Sequence, residues 1–147
     1  MKVGVISDTH NVLREEVLDY LKDCDYIIHA GDVCQVEIME RLNQIAKTFV
    51  VAGNNDKALD LPKDLEIELG EILIYVVHDK LDIPKNMNHV NLIIYGHSHK
   101  YEYEEREGIK YLNPGGCGRR RFSLPLTMAI LHLNDDHIEI EKIDLQY

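Results

Sequence analysis

The stretch KVGVISDTH, residues 2–10, joins a short apolar run directly to a group of polar side chains. Residues 2–6 are rich in β-branched side chains, which favour a strand. Apolar residues then recur at helical spacing from Leu13 to Leu21, which indicates a helix. The polar group Ser7-Asp8-Thr9-His10 is therefore predicted to lie where a strand ends and before a helix begins.

The same alternation continues after this stretch. Asp25–Ala30 (DYIIHA) is predicted to be a second buried strand, residues 36–45 show apolar side chains at helical spacing, and Phe49–Ala52 is a third strand. The order β-α-β-α-β with mostly parallel pairing is the economical interpretation, and the fold class is α/β.

Beyond Asp56 the pattern becomes rich in strands. Residues 65–69 alternate in polarity, and 71–77 form another buried run. Hairpin-like strands are predicted at 101–106, 109–112, 126–133 and 137–144. We expect these later strands to be antiparallel. Because no repeat, low-complexity tract or Pro/Gly linker interrupts the chain, we expect one domain over residues 1–147.

Charge limits the classes of partner. The formal net charge is −10 and the pI is about 5.2, which argues against a general nucleic-acid binder. The chain reaches Ser7 and Asp8 after only a few apolar residues, so its start predicts neither a signal peptide nor a membrane span. We therefore expect a cytoplasmic protein without membrane association, and homo-oligomerisation stays open.

Polar clusters follow five predicted strands, the fifth being the apolar run at residues 90–94. They lie at the edge where open α/β proteins place ligands. They are Ser7-Asp8-Thr9-His10, Gly31-Asp32, Gly53-Asn54-Asn55-Asp56, His78, and His97 with His99. Any one cluster has an ordinary explanation, such as a helix N-cap, a turn or a satisfied loop histidine. All five together would require five separate coincidences, so we expect one binding site.

The ligand types point to a metal. Side chains at i and i+2 of an extended chain lie on the same side, so His97 and His99 are placed to converge. Carboxylate, imidazole and amide groups suit Mn, Fe, Zn or Ni better than Ca or Mg. The three widely spaced cysteines Cys24, Cys34 and Cys117 argue against a disulfide framework or a closed structural zinc site. The candidates exceed what one ion needs, which favours two ions sharing a carboxylate.

The ordered motifs D-x-H, GD, GN-x-D, H and GH-x-H resemble those of the calcineurin-like metallophosphoesterases. The segments ISDTHN, HAGDV, VAGNND, YGHSHK and LNPGG resemble its small single-domain phosphodiesterase branch, and the resemblance runs from Ile6 to Gly116. It implies a four-layer α/β/β/α sandwich of two mixed β-sheets, face to face and flanked by helices.

The resemblance also implies a ligand set for two divalent ions, with Mn²⁺ the expected metal and Ni²⁺, Fe²⁺ or Zn²⁺ as alternatives. The first ion would be held by Asp8, His10, Asp32 and His99. The second would be held by Asp32, Asn54, His78 and His97, with Asp32 as the bridge. The residues expected to take part in catalysis are Asn55, Asp32 and His10.

The implied activity is hydrolysis of small phosphodiesters by a hydroxide that bridges two metals. Many larger relatives carry, where Asn55 stands, a histidine that protonates the leaving group. An amide cannot act as a general acid, so good leaving groups are expected to be handled best. The alternatives are a non-catalytic interaction scaffold resembling the retromer subunit of this fold, and a phosphomonoesterase.

Several polar residues stay open or are assigned elsewhere. Asp79 either orients His78 or is a solvated turn residue, and the run Arg119–Arg121 either reaches a substrate phosphate or is a solvated charge run. His29 is expected to be packed and hydrogen-bonded inside the protein. Surface positions are expected for His89, His132 and His137.

Overall fold

Ten strands form two five-stranded sheets in the computed structural model, which describes residues 1–121 and 123–146. The first sheet contains, in spatial order, β10 (His137–Asp144), β9 (Thr127–Asn134), β1 (Lys2–Ile6), β2 (Tyr26–His29) and β3 (Lys47–Val50). The second contains β4 (Asp64–Leu69), β5 (Ile72–Val77), β6 (Leu92–Ile94), β8 (Ile109–Asn113) and β7 (Glu102–Arg106). The helices are α1 (Glu15–Leu21) and α2 (Val36–Ile45), with a 3-10 turn at Lys80–Asp82.

The strand pairings confirm the parallel β1-β2-β3 unit and correct one expectation. β9 pairs antiparallel with both β1 and β10, and β7 pairs antiparallel with β8. The expected antiparallel pairing of the later strands is thus confirmed for these pairs. It was wrong for β8 and β6, which run parallel, with Ile93 opposite Tyr111. The reason is that β7 runs back along the outer edge, and β8 then returns between β7 and β6.

The two sheets pack face to face. Val5 and Ile28 of the first sheet are buried in one cluster with Ile74 and Leu92 of the second. Alternate residues of β1 point to the opposite face, where Ile6 packs with residues of α1 and α2. Burying such a side chain stabilises the fold by about 1.5–3 kcal/mol. The predicted class of two mixed sheets with helices outside is therefore confirmed.

The outer face of the second sheet has a thinner cover. Tyr75 and Ile93 pack there against Ile83, Met87 and Val90, which come from the loop after the 3-10 turn. Within residues 1–121 and 123–146, no helix is long and apolar enough to cross a membrane.

The loops that follow β1, β2, β5 and β6 meet at one end of the sandwich. The N–H of Asp8 donates to the carbonyl of Gly31 at 2.9 Å within the first sheet. In the second sheet the N–H of Gly96 donates to the carbonyl of His78 at 2.9 Å. The polar clusters therefore meet at one edge, as expected. This edge is formed by both sheets rather than by a single sheet.

Candidate metal centre

The backbone is unusual at five of the predicted ligand residues. The φ angles are 54° at Asp8, 45° at His10, 61° at Asp32, 74° at His97 and 65° at His99. A positive φ is uncommon for residues other than glycine and costs about 1–3 kcal/mol where it occurs. Such conformations persist only when surrounding contacts hold them, and here they accumulate at one end of the sandwich.

One group of ligand atoms surrounds a gap near the end of β1. The Oδ1 atom of Asp8 lies 3.7 Å from Nε2 of His10 and 3.6 Å from Nε2 of His99. The two imidazole nitrogens are 3.2 Å apart. An ion with bonds of about 2.1 Å holds neighbouring ligand atoms about 3.0–3.4 Å apart, so the spacing is close to that of a coordination shell.

A second group of ligand atoms includes the carboxylate of Asp8 again and adds that of Asp32. Nε2 of His78 lies 3.3 Å from Oδ2 of Asp32 and 3.9 Å from Oδ1 of Asp8. Oδ2 of Asp32 is also 3.5 Å from Nε2 of His10. Both buried carboxylates therefore lie between His78 on one side and the His10 and His99 pair on the other.

Unpartnered polar atoms show that the gap suits a cation. Within the described part of the chain, Asp8 Oδ1 and His78 Nε2 are buried without a hydrogen-bond partner. The other atoms of the same groups are occupied: Asp8 Oδ2 accepts from Oγ of Ser7 at 2.7 Å and from the N–H of His97 at 3.1 Å. His78 Nδ1 donates to the carbonyl of Ala30 at 2.7 Å, so in the neutral ring the lone pair of Nε2 faces the gap. Burying such atoms unpaired is costly, and a cation would satisfy both.

The electrostatics of the metal-free site lead to the same conclusion. Burial alone would lower the pKa of His78, but the carboxylates of Asp32 and Asp8 and the carbonyl of Ala30 raise it to about 9. Burial alone would raise the pKa of Asp32, but His78, the N–H of Asn55 and His10 hold it well below its usual range. A proton on His78 thus stands in for missing positive charge, and a metal ion would have to displace it.

Two glycines let the loops close around these side chains. A Cβ on Gly31, whose φ is +106°, would lie 2.5 Å from Nδ1 of His78. A Cβ on Gly96 would lie 2.9 Å from Oδ2 of Asp8. Any larger residue at either position would push His78 or Asp8 out of place.

Asp56 has a structural role that the sequence pattern did not distinguish from ligation. Its side chain is buried, and Oδ2 accepts from the N–H groups of Asp32, Val33 and Gly53 at 2.8, 3.2 and 2.9 Å. Oδ1 accepts from the N–H of Cys34 at 2.8 Å. This carboxylate connects the loop after β2 to the loop after β3. In the sequence, the only sign of this structural role is that Asp56 follows the turn residues Gly53 and Asn54.

The remaining predicted site residues lie at the rim. Asn54 and His97 are exposed; Asn54 lines a cavity beside His78, and the rings of His97 and His78 meet edge to face with centroids 5.3 Å apart. Asn55 is also exposed, and its N–H donates to Oδ1 of Asp32 at 2.9 Å. The assignment of Asn54 and His97 as ligands stays a prediction.

Asp79 is a turn residue rather than a partner of His78. Its Oδ1 accepts from the N–H of Leu81 at 3.0 Å and caps the 3-10 turn. The imidazole of His78 instead bonds to Ala30, so the second of the two alternatives for Asp79 is confirmed.

The other histidines occupy the positions expected from the sequence. His29 is fully buried: Nδ1 accepts from the N–H of Gly31 at 3.1 Å, and Nε2 lies 3.0 Å from Oγ1 of Thr9. Burial lowers the pKa of His29 to about 4, so it is neutral at neutral pH. His89, His132 and His137 are partly or fully exposed at the surface.

The arginine run lies beside the metal centre. Arg119, Arg120 and Arg121 line a cavity of about 330 Å³ together with His10, Asn55 and His99. Nη1 of Arg121 is 3.5 Å from Nε2 of His99. The three side chains are exposed, and they border the candidate site.

Comparison with known proteins agrees with this geometry. The family description "Calcineurin-like phosphoesterase superfamily domain" matches residues 1–136. The chain belongs to this superfamily. Among similar proteins, a probable metallophosphoesterase of Methanocaldococcus jannaschii is 37% identical, covering 99% of this chain and 82% of the relative. A phosphodiesterase of the same organism is 25% identical, covering 89% and 92%.

A solved structure with the same fold contains metal. Vps29 of Entamoeba histolytica in complex with Zn²⁺ has a TM-score of 0.77 and 25% identity, covering 98% of this chain and 99% of that one. This calcineurin-like phosphoesterase chain thus combines the family fold with buried carboxylates and imidazoles that fit a divalent cation. Family and site together support metal-dependent phosphoester hydrolysis.

Proposed function

We propose that the protein is a phosphodiesterase that hydrolyses small phosphodiesters with two divalent cations. The observation that carries the proposal is the pair of buried, unpartnered atoms Asp8 Oδ1 and His78 Nε2, which face the same gap as His10, His99 and Asp32. A purely structural role would leave these polar atoms uncompensated.

The ligand set proposed for the two cations follows the family pattern. The first centre consists of Asp8, His10, Asp32 and His99, and the second of Asp32, Asn54, His78 and His97. The bridging role of Asp32 is supported by the position of its Oδ2, which is 3.5 Å from His10 and 3.3 Å from His78. The second centre would be completed from the exposed side by Asn54 and His97. Mn²⁺ is the proposed metal, with Ni²⁺, Fe²⁺ or Zn²⁺ as alternatives, because imidazole, carboxylate and amide ligands suit these ions.

Two divalent cations in this gap would provide an acidified water as nucleophile and neutralise the charge of the bound phosphate. The protein's own residues decide which esters react. Ser7 and the N–H of His97 fix the Asp8 carboxylate, and the N–H of Asn55 fixes that of Asp32. The side chain of Asn55 lines the adjacent cavity, where it can donate a hydrogen bond to phosphate but cannot protonate a leaving group. Esters with acidic leaving groups are therefore the favoured substrates.

A binding role without hydrolysis is the second candidate, because the fold is also that of Vps29. The two candidates differ in what they require of the gap between His78 and His99. A scaffold needs no reactive water there, whereas the proposed hydrolase requires both cations and access for a phosphate.

The test is reconstitution. The protein is stripped of metal with a chelator, dialysed, and reloaded separately with Mn²⁺, Ni²⁺, Zn²⁺ or Mg²⁺. Elemental analysis is expected to give about two metals per chain. Bis(p-nitrophenyl) phosphate is expected to be hydrolysed faster than p-nitrophenyl phosphate, with 2′,3′-cyclic nucleotides as further diesters.

A surface variant, His132→Ala, serves as the matched control for histidine loss and should retain full metal content and activity. Metal-loaded protein without hydrolysis of any ester would favour the scaffold. Consistent absence of bound metal at saturating concentration would overturn the proposal itself.

A further inference from the structure

We propose that the substrate carries a second phosphate, joined to the attacked phosphorus through an anhydride oxygen, and that Arg119 and Arg121 bind this departing phosphate. The inference rests on the proposed phosphodiesterase function and names its substrate class: small molecules with a disubstituted pyrophosphate linkage.

The position of the arginines carries the first step. The cavity of about 330 Å³ is lined by His10, His99 and Asn55 together with Arg119–Arg121. Nη1 of Arg121 lies 3.5 Å from Nε2 of His99. A group bound in this cavity would therefore contact the guanidinium side chains while its neighbour occupies the metal centre.

The arginine-bearing loop is anchored on the segment that joins β1 to α1. The carbonyl of Gly118 accepts from Nε of Arg14 at 2.8 Å, and the N–H of Cys117 donates to the carbonyl of Ser7 at 3.3 Å. Gly118 packs directly on the backbone of Thr9, where any Cβ would collide. Anchoring at residues 117 and 118 places Arg119 at a defined distance from the centre, so these arginines are not part of a free chain segment.

Charge provides the second step. The chain as a whole has a net charge of −10, yet three consecutive arginines border the site. A simple phosphodiester has a single negative charge, and two divalent cations already exceed it. Further guanidinium groups match a further anion, and their planar donors suit phosphate oxygens in particular.

The chemistry of the leaving group is the third step. Asn55 cannot protonate a departing alkoxide. A phosphate monoester, whose second pKa is about 6, leaves as a stable anion near neutral pH without a proton donor. Donors aimed at charge that develops in the transition state accelerate its departure. The missing acid and the added arginines are thus both explained by one substrate class.

The reaction consumes one water. Its oxygen forms the new bond to the attacked phosphorus, while the bond from that phosphorus to the anhydride oxygen breaks. The electron pair of the broken bond stays on the departing phosphate, which Arg119 and Arg121 stabilise. The two protons of water pass to the product phosphates or to solvent, so no oxidant, reductant or other co-reactant is needed.

The experiment compares two substrates on the metal-loaded full chain. One is P1,P2-di(adenosine-5′) diphosphate, and the other is thymidine 5′-(p-nitrophenyl phosphate), which has a good leaving group but only one phosphate. The variants are Arg119→Gln, Arg121→Gln and the double change, with Arg41→Gln on the exposed side of α2 as the matched control. The measured quantity is kcat/KM for the pyrophosphate substrate divided by kcat/KM for the aryl diester. Each site variant should lower this ratio about tenfold to hundredfold, as expected for loss of a hydrogen bond to a charged group. The control should leave this ratio unchanged.

A binding measurement separates this inference from catalysis. Calorimetric titration with adenosine 5′-(α,β-methylene)diphosphate, which cannot be cleaved between its phosphates, should show a similar rise in Kd for Arg119→Gln and Arg121→Gln. An equal loss on both substrates, or an unchanged Kd, would overturn the inference. If the metal-loaded wild type hydrolyses neither substrate, the proposed phosphodiesterase function is wrong, and the inference that rests on it is wrong as well.

Discussion

His10 and His99 are 89 positions apart in the chain, yet their Nε2 atoms lie 3.2 Å from each other and their rings stack with centroids 5.0 Å apart. Burial lowers the pKa of His99, so this ring favours its neutral form. Two imidazole nitrogens at this distance can share one proton or one metal ion. Asp8 Oδ1 has no hydrogen-bond partner and lies 3.6 Å from Nε2 of His99. A metal ion could bind this oxygen as well as both imidazoles, so it fits the site better than a shared proton does.

Replacing the two histidines of the His-x-His pair should separate the two proposed centres. We expect His99→Ala to weaken the first ion and His97→Ala the second, each with severe loss of diester hydrolysis that excess metal partly restores by mass action. His97 is exposed, so His97→Ala should leave the melting temperature of the metal-free protein unchanged. His99 is buried, so His99→Ala should lower that temperature slightly without unfolding the domain. Elemental analysis, kinetics and thermal melts on both variants test this, with His132→Ala as control. Two fully metallated, active variants would contradict the assignment.

Asn55→His should broaden the range of leaving groups. If the wild type lacks proton donation, the added imidazole should raise hydrolysis of alkyl esters relative to aryl esters, since general acid catalysis typically contributes about 10²–10⁴-fold. The side chain at position 55 already lines the cavity beside His10 and His99. The measurement is the ratio of kcat/KM for methyl p-nitrophenyl phosphate and a dialkyl phosphate, with metal content checked. An unchanged ratio at full metal loading would refute the explanation.

The buried His29 should make stability fall in acid. Its pKa is about 4 in the folded protein and about 6.5 when unfolded, so between these values the unfolded state binds a proton that the native state does not. Stability from this group is complete above pH 6.5 and decreases as the pH falls towards 4, by roughly 3 kcal/mol in total.

Urea unfolding of metal-free wild type and His29→Asn at pH 8, 6 and 4.5 measures this contribution. Asparagine keeps an acceptor for the N–H of Gly31 but cannot titrate. Contributions from other groups, including the opposite one from His78, are common to both proteins and cancel in the difference. Parallel pH profiles for the two proteins would show that His29 does not contribute.

Asp56→Asn should destabilise the protein although Asp56 is not a proposed ligand. An amide in its place would turn an N–H donor towards one of the backbone N–H groups that the carboxylate now accepts from. We expect a loss of about 3 kcal/mol in the free energy of unfolding. Metal affinity should also fall, because the Asp56 carboxylate connects the loops that carry Asp32 and Asn54. Asp60→Asn, at an exposed position, is the control, and equal melting temperatures for the two variants would disprove the role.

The sequence by itself determined the order of strands and helices and the identity of the polar clusters. Local periodicity carries this information, because side chains alternate along β1 and recur at helical spacing in α1 regardless of what packs against them. The ordered motifs around Asp8, Asp32 and His97 sufficed for the superfamily, which the comparison with known proteins confirmed.

Only the tertiary structure decided relationships between distant residues. Local pattern does not encode strand partners, so the parallel pairing of β8 with β6 was missed. Asp32 and Asp56 look equivalent as acidic loop residues; contacts across the loops decide that Asp56 binds backbone N–H groups while Asp32 keeps Oδ2 towards the histidines. Likewise Arg121 resembles any solvated charge until the loop anchored at Gly118 brings it to His99. The physical reason is the same each time: hydrogen bonds and charge contacts depend on distances in space, which the fold sets and the neighbouring sequence does not.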